Sequence, residues 1–274
     1  ANHQVAGWMA TSASSISPNA VAEVRLITGP MKAEYGRNSG SVISIIPRSG
    51  SNQWHGGATE VLRNTKLNAA AFFLKAAAGG TTSTLLDGSP RNPQYVANDF
   101  DANLGGPVIR DKTFFFASYL GFRRRQGVLA SAAVPNDAER AAIEAGGVEE
   151  AKALLALIPR ATYDRILLSA PLSSLRRDQG LAKFDQVVSP ANRLGVTYFI
   201  EDSDGLAPFS SSTVPGFGCV NLNRAQQVLL RDTHVFSPRV FQEFRASFLR
   251  WASDSLKPLN RTSPATLGLG GIVT

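Results

Sequence analysis

The sequence has one cysteine, Cys219, only three histidines, and no apolar run long enough for a membrane-spanning helix, which needs about 18 to 20 residues. A single cysteine excludes an internal disulfide framework and a cysteine-based metal cluster, and we interpret it as an ordinary loop residue. The N-terminus, ANHQVAGWMA, has no initiator methionine and no signal-peptide order of basic, apolar and small residues. We therefore expect a trimmed or partial chain.

The motifs of common enzyme classes are also missing. His3, His55 and His234 stand alone, and no HxxE, HExxH or His-x-His spacing provides metal ligands. No GxSxG elbow for a nucleophilic serine occurs. His55, between Trp54 and Gly56, fits a turn residue or interfacial hydrogen-bond donor better than a catalyst. We predict that the protein is not an enzyme and has no cofactor or metal.

The net charge of +7 favours either nucleic acid or an anionic membrane surface as a partner. The dense basic cluster Arg123, Arg124 and Arg125 is more typical of a solvated rim at a strand end than of a phosphate grip. The sequence contains no helix-turn-helix pattern, zinc-finger spacing or aromatic RNA-binding motif. We therefore predict no nucleic-acid partner.

Glycine, proline and short apolar runs are abundant, a pattern typical of a mainly β protein with long loops. Residues 193–201 show the clearest period of two, with Leu194, Val196, Tyr198 and Ile200 on one face. By the same criterion we predict strands at 21–28, 41–46, 58–63, 99–105, 113–123, 181–188, 193–201, 225–235 and 240–251.

One segment, residues 137–158, has helical spacing. Asn136 or Asp137 is its expected N-cap, Pro159 its stop, and Gly146-Gly147 divides it in two. We interpret it as helix carried by a loop; a helical module inserted between strands is the alternative.

From residue 58 onward the connections alternate between long and short. The short ones have about four to six residues and the long ones more than about twenty, beyond the usual range for a compact soluble domain. The long connections are residues 64–97, 124–179 and 202–224. Long and short connections must then lie at opposite ends of about seven antiparallel strands, as in a bacterial outer-membrane β-barrel. A soluble β-sandwich is the alternative, but it accounts less well for the charged polar faces and for three long loops at one end.

Residues 29–56, GPMKAEYGRNSGSVISIIPRSGSNQWHG, resemble the end of the plug domain and the plug-to-barrel junction of TonB-dependent outer-membrane transporters. The resemblance is strongest to Oar-like receptors, which often carry a carboxypeptidase-regulatory-like domain upstream. LGGPVIRDKTFFFASYLGFR (104–123) and FSPRVFQEFR (236–245) resemble later strands and turns of that family, while Pro47 stands where the family usually has Thr. The junction motif residues are Gly29, Pro30, Tyr35, Gly36, Arg37, Gly40, Gly50, Asn52, His55 and Gly56.

The resemblance implies that residues 1–50 form the C-terminal part of a plug, 51–57 the junction, and 58–274 the first part of a barrel that has 22 strands in complete members. It implies a bacterial outer-membrane fragment in contact with lipid. TonB would act through a segment missing from this chain. The solute, small or oligomeric, is not encoded in any readable pattern. A non-transporting surface or adhesion protein and a soluble β-sandwich binding module are the alternatives.

The polar faces of the predicted strands supply candidate residues for the lumen of such a barrel. Cross-strand charge pairing is the favoured interpretation of these residues, ahead of contact with solute. The candidates are Glu60, Arg63, Asp99, Asp101, Asn103, Lys183, Asp185, Arg193, Glu201, Glu243 and Arg245.

Overall fold

The computed structural model describes residues 16–28, 41–69, 93–162, 164–209, 213–214 and 216–256. Six predicted residues of the junction motif lie outside these ranges. The six are Gly29, Pro30, Tyr35, Gly36, Arg37 and Gly40.

The two predicted N-terminal strands form an antiparallel hairpin. β1 is Val21–Thr28 and β2 is Ser41–Pro47, with Thr28 opposite Ser41 and Val21 opposite Pro47. A 3₁₀ turn, Pro18–Ala20, precedes β1. Pro47 lacks a backbone donor, but it is the last residue of β2, next to a register shift, and the Arg48 amide bonds to the Ala20 carbonyl at 2.8 Å.

Seven further strands form one antiparallel sheet in which every strand pairs with its neighbours in sequence, the short ribbon β6–β7 aside. This arrangement confirms the mainly β prediction with about seven antiparallel strands. The strands are β3 His55–Asn64, β4 Tyr95–Ile109, β5 Thr113–Gly127, β8 Leu172–Ser189, β9 Asn192–Ala207, β10 Cys219–Ser237 and β11 Val240–Leu256.

The connection between β5 and β8 carries the predicted helix in two pieces. α1 is Asp137–Gly146, begun by a capping box between Asn136 and Glu139, and α2 is Glu149–Leu157. Two short strands that were not predicted, β6 (Ala130–Ala133) and β7 (Ile166–Ser169), form an antiparallel ribbon that pairs the two ends of this connection. The buried Arg140 guanidinium of α1 donates to the Leu155 and Ile158 carbonyls, each at 3.1 Å, and so joins the two helices.

The strands are longer than predicted, which corrects several boundaries. The turns are residues 110–112, 190–191 and 238–239, so they are shorter than expected, and the third long loop shrinks to 208–218. Cys219 is a buried first residue of β10 and not a loop residue. Apolar alternation marks only the middle of each strand, whereas the backbone hydrogen bonds continue among polar side chains on either side.

The two faces of the sheet differ in character. We call the face that contacts residues 16–20 the inner face and the opposite one the outer face. On the outer face of β9, Leu194, Val196, Tyr198 and Ile200 lie between Asn192 and Asp202. These ten steps span about 34 Å along the strand, or about 26 Å at a tilt of about 40°, close to the apolar band of about 25 Å in outer-membrane barrels.

Neighbouring strands continue this apolar belt. Many of its large apolar side chains are exposed; Phe248 is 63% exposed and Leu230 46%. On the other strands the belt consists of Leu104, Ala117, Ala182, Phe184, Val228, Leu230, Phe244, Ala246 and Phe248.

We expect an arginine to be tolerated on the inner face and not in the belt. Leu229 and Leu230 are adjacent in β10 and point to opposite faces. In the protein reconstituted in phospholipid bilayers, Leu230→Arg should lower the free energy of unfolding by about 2 to 4 kcal/mol, because the guanidinium would face hydrocarbon. Leu229→Arg is the matched control and should lower it by clearly less. Equal losses in urea titrations would show that the outer face does not contact lipid.

Candidate functional site between the hairpin and the inner face

The 3₁₀ turn before β1 is held to the inner face by one carboxylate. Ser17 Oγ donates to Asp101 Oδ2, and Asn19 Nδ2 donates to Asp101 Oδ1 at 2.8 Å and to Thr59 Oγ1 at 3.2 Å. Ser17 is 3% exposed and Asp101 8%. Because a buried carboxylate needs hydrogen-bond donors, these contacts hold the turn and strand β4 together.

An apolar patch lies beside this contact. Phe116, Leu181 and Phe199 project from β5, β8 and β9 onto the inner face, and Ile16 and Ala20 cover them. Phe116 is 1% exposed, while Leu181 and Phe199 are each 5% exposed. The hairpin also contributes Val21 and Ile45 to this cluster. Burial of apolar area therefore supplements the hydrogen bonds of Asp101.

A third contact comes from the end of β2. Lys183 Nζ donates to Ser49 Oγ at 2.6 Å. The same ammonium lies 3.8 Å from Asp185, whose other carboxylate oxygen lies 3.7 Å from the Arg231 guanidinium. Gly195 stands between Asp185 and Arg231, and a Cβ there would come within 3.1 Å of the carboxylate. Because Gly195 has no side chain, Asp185 of β8 and Arg231 of β10 can pair across the intervening strand β9.

The strand register places ten of the eleven predicted polar residues on the inner face. Glu60 is the exception: it pairs with Phe100 on the outer face, so its assignment to the same face is wrong. Glu60 and Arg63 are three residues apart, and an odd separation along a strand always puts two side chains on opposite faces. The ten are Arg63, Asp99, Asp101, Asn103, Lys183, Asp185, Arg193, Glu201, Glu243 and Arg245.

Several of these inner-face residues form pairs. Glu201 accepts from the Gln179 amide at 2.5 Å and lies 3.8 Å from the Arg177 guanidinium. Glu243 and Arg245, two residues apart in β11, form an ion pair at 2.6 Å. The charges are therefore partly neutralised by neighbours, as cross-strand and same-strand pairing predicts.

The segment between the hairpin and β3 passes very close to the backbone of the β4–β5 hairpin. A Cβ on Gly50 would lie 2.3 Å from the Phe115 carbonyl oxygen and 2.7 Å from that of Gly106. The Trp54 ring packs edge-on against Phe115, with centroids 5.5 Å apart. Only a residue without a side chain fits at Gly50, which gives this predicted motif residue a steric role.

The other described motif residues are placed by local contacts. Asn52 receives the backbone N–H of Asp111 at 2.8 Å and donates back to its carboxylate. Asp111 has a φ of 61°, so Asn52 stabilises a turn residue in the left-handed region. His55 and Gly56 are the first residues of β3, which begins three residues before the predicted strand, and a Cβ on Gly56 would lie 2.6 Å from the Asn103 carbonyl oxygen.

Sequence reasoning missed the residues that hold the hairpin. Ser17 and Asn19 carried no signal, because they lie in a small polar stretch. Phe199 and Leu181 were detectable: each stands two positions from a residue predicted to be on the polar face, Glu201 and Lys183. An apolar residue at that spacing indicates that something covers the polar face locally.

The inner-face contacts described above hold a segment of the chain itself, namely residues 16–20 and the hairpin that follows them. Among the described residues, no group of three or more His, Cys, Asp or Glu side chains is placed to hold a metal ion. No helix in the described ranges is both long and apolar enough to cross a membrane.

Comparison with known proteins agrees with this architecture. Residues 46–151 and 143–274 match the outer membrane beta barrel domain family. Since these matches cover more than half of the chain, the protein belongs to that family, and its location is the bacterial outer membrane.

A specific relative is the TonB-dependent transporter Oar of Myxococcus xanthus, which is 34% identical over 108 residues. That alignment covers 39% of this chain and 10% of the relative, so the matched part is about a tenth of the relative's length. These findings confirm the resemblance to TonB-dependent outer-membrane proteins. No solved structure matches the chain.

We expect Asp101→Ala to loosen the hairpin. Ser17 and Asn19 would lose the acceptor they share, which costs about 1 to 3 kcal/mol for buried donors. Hydrogen exchange of backbone amides in β1 and β2 should accelerate accordingly. Asp99→Ala, on the same face of β4 but without these contacts, serves as the control. Unchanged protection in Asp101→Ala would show that the carboxylate does not hold the hairpin.

A substitution at Gly50 is expected to be destabilising. Gly50→Ala forces the segment away from the β4–β5 backbone, an overpacking that typically costs about 1 to 3 kcal/mol. Gly146→Ala, at the end of α1 with nothing within 4 Å of the added Cβ, should be neutral or slightly stabilising. Thermal unfolding of both variants tests this contrast. A similar Tm for the two would contradict the close approach.

Proposed function

We propose that this chain is part of a TonB-dependent receptor that takes up a scarce solute across the outer membrane. The observation that carries the proposal is the docking of the β1–β2 hairpin on the inner face of a sheet whose outer face is an apolar belt. In such a receptor, residues 1–50 belong to the plug, 51–57 to the junction, and 58–274 to the barrel wall. The family match and the Oar relative support this assignment.

The contacts at the inner face suit a plug that must be both held and released. Asp101 is bound by a hydroxyl and an amide, and Lys183 by a hydroxyl, so none of these plug contacts is itself an ion pair. A hydrogen bond between a neutral group and a charged one contributes only about 1.5 to 3 kcal/mol. A mechanical pull transmitted from TonB, driven by the proton-motive force of the inner membrane, would then break them one at a time.

The wall behind the plug remains rigid during such a step. Its own ion pairs, such as Asp185 with Arg231, lie within the sheet and do not involve the hairpin. The long connections at one end, above all residues 128–171 with α1 and α2, would face the exterior and contact solute. We further propose that the protein has no catalytic activity.

The alternative of a soluble β-sandwich or a soluble binding module is disfavoured by the belt. Soluble proteins rarely expose contiguous apolar patches larger than a few hundred Å². The belt crosses from β4 to β11, and its large side chains are exposed on both β10 and β11. A second sheet would have to cover all of it.

Thiol labelling in cells tests whether TonB moves the hairpin. In a Cys219→Ser background, Ser17→Cys replaces a hydroxyl that is buried against the wall. We expect a thiol reagent to label this cysteine at least about tenfold faster in energised cells than in cells lacking TonB, because buried sites react only when opened. Ser51→Cys, at an exposed position of the junction, should label equally in both. Equal labelling of Ser17→Cys with and without TonB would refute the coupling.

A further inference from the structure

The outer face changes character above the apolar belt, toward the long connections. Several outer-face positions there carry charges: Arg176 and Asp178 on β8, Asp202 on β9, Arg224 on β10 and Arg250 on β11, the last level with the belt residue Ile200. Leu222 and Ala252 lie among them on the same face. Together with Arg123 on β5 they line an open groove of about 680 Å³, which we call the arginine groove. Asp204 and Asp254 also line it, on the side of the long connections.

The contacts of Asp178 and Arg123 fix one side of the groove. Asp178 accepts from the Arg123 guanidinium at 2.6 Å, from Arg176 Nε at 2.9 Å and from the Tyr119 hydroxyl. Arg123 also lies 5.5 Å from the centre of the Phe100 ring and donates to two backbone carbonyls. The Arg123 guanidinium therefore bonds to groups within the sheet, whereas Arg176 donates only one hydrogen bond, to Asp178, and is 60% exposed.

Three guanidinium groups keep N–H donors for a ligand. Arg176 is bonded through Nε, and Arg224 through Nε and one terminal nitrogen to Asp202. Arg250 has no acidic partner among the described residues. The three lie on a diagonal that steps down from β8 through β10 to β11, and Arg250 borders the belt residue Phe248.

The position of these three arginines relative to the apolar belt indicates which kind of ligand they can bind. Charged side chains on a lipid-facing surface avoid hydrocarbon and lie at the level of the lipid headgroups. Guanidinium groups bind phosphate through paired, charge-assisted hydrogen bonds. The carboxylates of Asp204 and Asp254, at the outer rim, can accept from hydroxyl groups or bind divalent cations. A headgroup with phosphates and sugar hydroxyls complements both sets.

We propose that the arginine groove binds the phosphorylated headgroup of an outer-leaflet glycolipid whose acyl chains lie along the belt. The exposed side chains of Phe248, next to Arg250 on β11, and of Leu230, farther along the belt on β10, provide the apolar surface for those chains. This site is separate from the docked hairpin, because it occupies the opposite face of the sheet. It depends on the outer-membrane location and not on coupling to TonB.

Titration with a defined lipid tests the proposal. The full-length protein in nonionic detergent is titrated with bisphosphorylated lipid A in the presence of Mg²⁺, and Kd is measured by native mass spectrometry. Arg176→Gln/Arg224→Gln should weaken binding at least about tenfold, because it removes two charge-assisted contacts. Arg110→Gln/Arg239→Gln removes two exposed arginines from turns at the other end of the sheet and should bind like the wild type.

Three results would overturn the proposal. They are equal Kd values for the two double variants, equally tight binding of dephosphorylated lipid A, and equally tight binding of phosphatidylglycerol. If Arg176→Gln/Arg224→Gln fails to assemble, Arg250→Gln replaces it, since that side chain bonds to no acidic group within the described part of the chain. Arg250→Gln should weaken binding at least about threefold, and an unchanged Kd would count against the site.

Discussion

The continuous hydrogen-bond ladder from β3 to β11 is the constraint on which the other features depend. Hydrocarbon offers no partner for a backbone amide or carbonyl, so a membrane wall made of strands must pair every strand with its neighbours. The antiparallel order of this sheet meets that requirement with connections of two or three residues at one end. The ladder also forces strict alternation, and alternation divides the wall into an apolar outer face and a polar inner face.

The hairpin docks where the inner face is locally apolar. Phe116, Leu181 and Phe199 place an apolar patch on the inner face, and Asp101 places a buried carboxylate beside it. A patch without a cover would expose apolar area to water, and a carboxylate without donors would lose its solvation. The residues around Ser17 remove both costs at once. The docking position thus follows from two unlike interactions that coincide on four adjacent strands, β4, β5, β8 and β9.

Much of the wall was predictable because its signals are local. Period-two alternation marked each strand, and the helix with its break at Gly146-Gly147 was found from spacing and capping residues. The misplaced ends have a physical cause: β8 begins at Leu172, nine residues before the predicted start, because its first half pairs through the backbone while carrying polar side chains. Glu60 lies on the outer face because it is an odd number of positions away from Arg63 along β3. The arginine groove was undetectable from spacing, because its members come from five strands.

The amino-acid sequence by itself determined the class of architecture, namely antiparallel strands with one apolar face, and long and short connections at opposite ends. The apolar face follows from side chains two positions apart, and the placement of the connections follows from their lengths, so both are local properties of the chain. Only the tertiary structure decided which residues meet between distant parts of the chain: Asp101 with Ser17, Lys183 with Ser49, and Arg123 with Asp178. Register and docking set those contacts, and both depend on the summed packing of many strands and not on any single segment.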